Sequence, residues 1–219
     1  MRIHDGSPSE PSYLVVDEPF ANSIIANENS HICSEGQFNK VRWSIGDQTG
    51  TYTVPFGDSD GLLPLSLSIA DAGSDDGHID FSTYGTSVDN LPLPVGVLMI
   101  AHLDENIPTD GAKVYDRYWF VNADSYTTKP EGVMSFAYNP DNMTGDLQSG
   151  ITSLGAQSHD GDTWYINQLG ADNLAGVVSG IPFSNQEFNP IWTLVELGAP
   201  LPITLISFNA VWGDDEQNF

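Results

Sequence analysis

The sequence has few basic residues and almost no cysteine. Only six of its 219 residues are Lys or Arg, against 30 Asp or Glu, which gives a formal net charge of −24. Nucleic-acid phosphates and anionic membrane surfaces both select clustered Lys and Arg, so the charge argues against both partners. With one cysteine, Cys33, the chain can form neither an internal disulfide nor a Cys-rich metal site.

Export signals and membrane spans are also missing from the sequence. No run of 18 apolar residues is present, so we expect no membrane insertion by a helix. The first six residues, MRIHDG, lack the apolar centre of a signal peptide. Because acidic, lysine-poor chains rich in Asp and Gly are typical of exported proteins, we expect an extracellular or cell-surface protein whose leader has been removed.

Motifs for chemistry are absent as well. The sequence has no Gly-x-Ser-x-Gly elbow, no Ser-x-x-Lys and no phosphate-binding glycine loop. Its five histidines are scattered, without the spacing of a zinc site. The carboxylates are numerous, but no spacing selects a pair for acid and base catalysis. We therefore expect a protein that is not an enzyme, with no catalytic residues.

What the sequence does contain is alternation of apolar and polar residues with a period of two. Residues 41–45 and 78–84 are clear examples, and roughly a dozen such segments are separated by Gly, Asn and Asp turns. This pattern predicts an all-β fold, an antiparallel β-sandwich for which a jelly roll is one candidate topology. The apolar run 95–102 predicts a strand buried on both faces, and 169–178 is the only helical candidate of any length.

The chain divides into three predicted regions. Residues 1–11 form a flexible N-terminal segment, 12–198 the β-sandwich domain, and 199–219 a proline-containing connector, a last strand and an acidic end. Within the domain, strand alternation places Trp119 on the face opposite to its two neighbours, and we expect Trp119 and Phe136 to be buried.

Two acidic turns are candidate calcium sites. Asp58 and Asp60 lie in one Gly-containing turn, and Asp71, Asp75 and Asp76 lie in another. Calcium prefers several oxygen ligands from a turn that curls around it. Asp-Gly sequences are also favoured in solvated hairpin turns, so calcium is a candidate ligand, and no cofactor is required.

Aromatic residues offer a second candidate surface. A sugar-binding platform could draw on Trp43, Tyr118, Trp119, Trp164, Tyr165, Trp192 and Trp212. Core packing is the default interpretation for most of them. The expected partners are therefore other protein subunits, including further copies in a homo-oligomer or polymer, or surface glycans.

Five segments, taken in order, resemble a pattern of large secreted surface proteins of Bacteroidetes-type bacteria. Residues 49–57 (TGTYTVPFG) resemble G-x-Y-x-F-P-V-G, 116–121 (DRYWFV) resemble R-Y-W-x-I, 133–138 (VMSFAY) resemble x-V-T-L-x-Y, 188–196 resemble F-x-x-F-T-L-G, and 201–210 (LPITLISFNA) resemble the connector L-P-V-E-L-L-S-F-x-A. Order and rough spacing agree over residues 41–210. Val54 and Phe56 stand where the pattern usually has Phe and Val.

The resemblance implies a function without catalysis. Such regions are β-rich modules of adhesins, gliding-surface or matrix proteins, exported by type IX secretion, and the family offers no catalytic residues. It favours an extracellular structural or adhesive module that can self-assemble. The alternative is a carbohydrate-binding module or a glycoside hydrolase accessory domain.

Overall fold

The computed structural model describes residues 1–4, 6–27, 30–74, 76–100, 111–143, 153–165, 169–172 and 176–197. Its strands are β1 Ser12–Val16, β2 Asn39–Trp43, β3 Gly50–Val54, β4 Gly57–Asp58, β5 Gly61–Leu62, β6 Leu65–Asp71, β7 His78–Gly85, β8 Arg117–Asp124, β9 Glu131–Ala137, β10 Leu154–His159, β11 Leu169–Asp172, β12 Val177–Phe183 and β13 Ile191–Glu196. Short 3-10 turns at Gly111–Lys113 and Pro140–Asn142 are the helical elements of the described part. The predicted all-β class is confirmed.

Eleven strands follow one another in the order β1-β2-β7-β8-β13-β10-β11-β12-β9-β6-β3, and β4 and β5 form a separate small hairpin. The sheet folds over itself so that β1, β2, β7, β8, β13 and β10 form one layer and β12, β9, β6 and β3 the other. Strand pairs in the described residues are antiparallel, except that β1 runs parallel to β2. The parallel pair is a departure from the predicted antiparallel arrangement.

The main core fills the space between the two layers. Trp119 and Trp192 of the first layer contact Phe136 of the second, with ring centroids 5.2 and 5.9 Å apart. Trp43 and Tyr52 meet edge to face at 5.1 Å in the same way. These side chains are at most 1% exposed, so the cross-layer aromatic contacts hold the sandwich together.

Strand β8 is buried on both faces. Trp119 points into the main core, whereas Tyr118 and Phe120 belong to a second apolar cluster on the outer face of the first layer. Val97 and Ile100 cover that cluster. The prediction that Trp119 and Phe136 are buried is confirmed, since both are 0% exposed.

Two secondary-structure predictions are wrong in the described residues. Residues 95–100 are turn and coil, because nearby prolines and Gly96, with φ of +93°, prevent a strand; Leu98 there is 91% exposed. The helical candidate at 169–178, which its two glycines already weaken, is replaced in the described residues by β11 and the start of β12. Gly170 and Gly176, with φ of +68° and +86°, adopt a left-handed backbone that a helix excludes.

The N-terminal residues set apart as flexible are bonded to the domain. The amide of Ile3 donates to the Cys33 carbonyl at 3.0 Å, and the amide of Gly6 donates to Asn39 Oδ1 at 2.9 Å. Ile3 is only 7% exposed. The predicted connector at 199–219 lies outside the described residues. Among the described residues, no helix has the length and apolar character needed to cross a membrane.

Candidate functional site

A buried ion-pair cluster lies where the first layer meets the β4–β5 hairpin. Arg117, the first residue of β8, donates to Glu35 Oε1 at 2.9 Å and to Asp58 Oδ2 at 2.5 Å. The Arg117 side chain is 6% exposed, and the carboxylates are 26% and 18% exposed. A guanidinium desolvated to this degree requires such charged partners.

Hydrogen bonds from backbone amides fix the positions of the two carboxylates. The second oxygen of Glu35 accepts from the Gly85 amide at 3.0 Å, and Asp58 Oδ1 accepts from the Asp60 amide at 2.8 Å. Glu35 itself has φ of +42°, which is unusual for a residue other than glycine. The cluster is therefore built from a strand start, a hairpin and a loop that are distant in sequence.

A cleft of about 440 Å³ opens beside this cluster. Four carboxylates line it, those of Asp58, Asp60, Asp116 and Asp141, together with Arg117. Asp116 also accepts from the buried amide of Asn90 at 3.1 Å. Because Glu35 and Asp58 already engage the one cation, the lining carries a net negative charge, and its electrostatic potential favours cationic groups.

The predicted calcium residues are placed in different ways. Asp58 is engaged by Arg117, and Asp60 lies beside it at the cleft. Asp71 ends β6 on the exposed surface, opposite Glu131 of β9. Asp76 is exposed at a second cavity of about 250 Å³, which Asp17 and Asp47 also line.

Asp75 lies outside the described residues. Among the residues that the structure describes, no three His, Cys, Asp or Glu side chains are grouped to hold a metal ion. Calcium binding therefore stays a prediction. In the candidate turn at 71–76, unlike the one at Asp58, the described carboxylates are not paired with an arginine.

The turn after β10 forms a second candidate site. It borders a cavity of about 260 Å³ lined by His159, Asp162 and Trp164. His159 Nδ1 accepts from the Gly161 amide at 3.0 Å, and its ring meets Trp164 edge to face at 5.0 Å. Burial lowers the pKa of His159, although the nearby Asp160 and Asp162 oppose the shift. Burial and the accepting role of Nδ1 thus both favour the neutral form of the ring over the charged form.

Asp160 organises the same turn. Burial acts to raise its pKa, but hydrogen bonds from the Thr163 and Asp162 amides and the Tyr165 hydroxyl outweigh burial and lower the pKa. The two amide bonds measure 2.9 and 2.8 Å. An ionised carboxylate thus fixes the position of Tyr165, whose ring is 38% exposed.

The four described tryptophans do not form the sugar-binding platform considered from the sequence. Trp43, Trp119, Trp164 and Trp192 are at most 3% exposed, and Trp212 lies outside the described residues. Core packing is confirmed for these four. Of the aromatic residues proposed for a platform, Tyr165 is the described one with an accessible ring.

Sequence reasoning did not find the Glu35–Arg117–Asp58 cluster. Glu35 and Asp58 lie 82 and 59 residues before Arg117 in the sequence, and no spacing rule relates the three. One signal was available: in a chain with six basic residues, an arginine inside the apolar strand 117–121 needs buried carboxylate partners.

Comparison of the chain with protein-family models, with curated proteins and with solved structures gives no significant match.

Proposed function

We propose that the chain is a non-enzymatic extracellular module with a structural or adhesive role in a bacterial surface protein. The resemblance to secreted Bacteroidetes-type surface modules motivates this proposal, and export by type IX secretion is part of it. The β-sandwich is a stable scaffold that presents loops and edges to other molecules.

The observation that carries the proposal is that most basic side chains form ion pairs within the molecule. Lys40 and Arg42 pair with Asp80, Lys113 with Glu196, and Arg117 with two carboxylates. Four of the six cations are thus ion-paired within the molecule, and the excess carboxylates dominate the surface. Such a surface meets other molecules as a polyanion and favours cationic partners, including divalent ions and basic polypeptide segments.

The proposal is tested in the bacterium that produces the chain. An antibody against the purified domain should label intact cells, and mild protease treatment of those cells should remove the label. A strain lacking the chain should attach less to surfaces while growing normally on polysaccharides. Label found only after cell lysis, or a growth defect on one polysaccharide with normal attachment, contradicts the proposal.

The alternative is glycan binding, and the turn around Tyr165 favours it. An exposed aromatic ring beside carboxylates, next to a cavity, is a common arrangement in sugar sites. Added polysaccharide should then change the fluorescence of the adjacent Trp164, and Tyr165→Ala should abolish the change. Phe20→Ala is the matched control, because Phe20 is an exposed aromatic elsewhere, at 56%.

A further inference from the structure

The first layer of the sandwich ends at β1, and no described strand pairs with the outer, apolar edge of β1. Strand β1 pairs with β2 without a register shift, from Ser12 opposite Asn39 to Val16 opposite Trp43. The strand contains no Pro, no Lys and no bulge, which are the devices that protect natural edges. Tyr13 and Val15 are 39% and 49% exposed on its outer face.

The hydrogen-bond pattern identifies which backbone groups are open. At the two ends of the β1–β2 ladder, the Ser12 amide donates to the Phe38 carbonyl and the Val16 carbonyl accepts from the Ser44 amide. Because alternate residues of a parallel strand bond to the same neighbour, Ser12, Leu14 and Val16 face β2. The N–H and C=O groups of Tyr13 and Val15 therefore point away from the sheet.

These four backbone groups are self-complementary. If two copies of β1 run antiparallel about a two-fold axis at Leu14, Tyr13 of each copy lies opposite Val15 of the other. Residues opposite each other at such positions exchange both hydrogen bonds, so the four open groups of each copy are all satisfied. The same register places an aromatic ring against a β-branched side chain on each side of the axis, which is a favourable cross-strand pair.

The side chains beside β1 are arranged to accept this contact. Arg42 lies 4.2 Å from the centroid of the Tyr13 ring and also holds Asp80 through two hydrogen bonds of 2.8 and 2.9 Å. Lys40 approaches the same ring at 5.9 Å. Two of the six cations of the chain thus lie next to β1, so the local negative charge is lower than the net charge of −24 implies.

The opposite end of the sheet is less open. Strand β3 has residues 19–21 packed against it: the Tyr52 hydroxyl donates to the Pro19 carbonyl at 2.9 Å, and Ala21 lies against Gly50.

We propose that β1 is the self-association edge of this protein and that its partner is β1 of a second copy. The inference deepens the proposed function by naming one partner, and it rests on that function.

The test is sedimentation of the full chain over a series of salt concentrations. Glu10, Asp17 and Glu18 flank β1 and repel their counterparts, so we expect a monomer at low salt and a dimer once salt screens these charges. Val15→Pro removes one outward N–H and should weaken the dimer about tenfold or more, since each copy loses a hydrogen bond. Val15→Thr keeps both the N–H and the β-branch and should dimerise nearly as the wild type does.

Hydrogen exchange of the wild-type chain provides a readout that needs no variant. The amides of Tyr13 and Val15 should exchange rapidly at low salt and become protected at high salt, while Leu14 stays protected in both. A chain that remains monomeric overturns the proposal, as does a dimer in which these two amides still exchange rapidly or which Val15→Pro leaves intact. If the dimer forms but the strain lacking the chain attaches normally, the proposed function fails while the edge pairing stands.

Discussion

The buried tryptophans differ in what their indole nitrogens do. Trp192 Nε1 donates to the Asn189 carbonyl at 2.7 Å, and Trp43 Nε1 donates to the Glu18 carbonyl at 2.9 Å. Trp119 Nε1 is buried and has no hydrogen-bond partner among the described residues. A buried N–H without a partner costs stability, so the central ring of the core contributes through packing alone.

This difference leads to a ranking of substitutions. Trp119→Ala should cost about 3–5 kcal/mol in free energy of unfolding, as large aromatic truncations do. Trp192→Phe should cost about 1 kcal/mol more than Trp119→Phe, because it leaves the Asn189 carbonyl unpaired. Urea unfolding of the variants measures both effects, and equal costs for the two Phe variants would contradict the assignment.

Removal of the buried arginine should be among the most damaging single changes. Arg117→Met leaves Glu35 and Asp58 as unpaired, largely buried carboxylates, and should cost about 3–5 kcal/mol. Lys113→Met is the control, since the Lys113–Glu196 pair at 3.2 Å is more exposed and should contribute at most about 1 kcal/mol. Adding Glu35→Gln and Asp58→Asn to Arg117→Met should restore part of the lost free energy of unfolding. A further decrease in that free energy would mean that the two carboxylates do not depend on the arginine.

At the scale of elements, alternation of residue character predicted the buried strands well. It located β8, assigned its two faces and placed Trp119 in the core, because a period of two depends only on local backbone geometry. The wrong predictions at 95–100 and 169–178 came from an apolar run and a helical candidate, at places where proline and left-handed glycines decide the backbone. Alternation could not find the Arg117 cluster, because only the tertiary fold brings Glu35 of a loop and Asp58 of the β4–β5 hairpin to the start of β8.

The turn between β10 and residue 165 should make stability depend on pH. Burial lowers the pKa of His159 in the folded state below its ordinary value of 6.5. The unfolded chain therefore binds a proton at this histidine more readily than the folded chain does. The contribution of neutral His159 to the free energy of unfolding is complete above the pKa of the unfolded state and is lost as the pH falls below that pKa.

The variant His159→Asn isolates this effect. Asn keeps an acceptor for the Gly161 amide but does not titrate, so its melting temperature should fall less than that of the wild type between about pH 7.5 and about pH 5.5. His4→Asn is the control, because His4 is exposed. Parallel losses in the wild type and His159→Asn would show that another group is responsible.

For the whole molecule, the net charge of −24 determines the response to ions. Repulsion among carboxylates opposes the folded state, and any divalent cation relieves part of it. Calcium and magnesium at equal concentration should therefore both raise the melting temperature. A specific calcium site should raise the melting temperature more with calcium than with magnesium, since calcium accepts a larger and more flexible set of oxygen ligands.

We expect calcium to exceed magnesium, with the excess arising at the 71–76 turn. The double variant Asp71→Asn/Asp76→Asn should abolish the excess, whereas Asp60→Asn should retain it because the neighbouring Asp58 serves Arg117. Asp124→Asn is the control for charge alone, as its side chain is 61% exposed. Equal melting shifts for the two ions in the wild type would assign the whole effect to screening.

The position of β13 governs the order in which the molecule can be assembled during synthesis. This strand, at Ile191–Glu196, lies between β8 and β10, and its Trp192 pairs with Trp119, 73 residues earlier. Until the ribosome has released residue 196, the first layer has a gap between β8 and β10 and the main core lacks one of its largest rings. Folds dominated by such distant pairings form slowly, so the nascent chain stays open for most of its synthesis, which is the state that export machinery or a chaperone can engage.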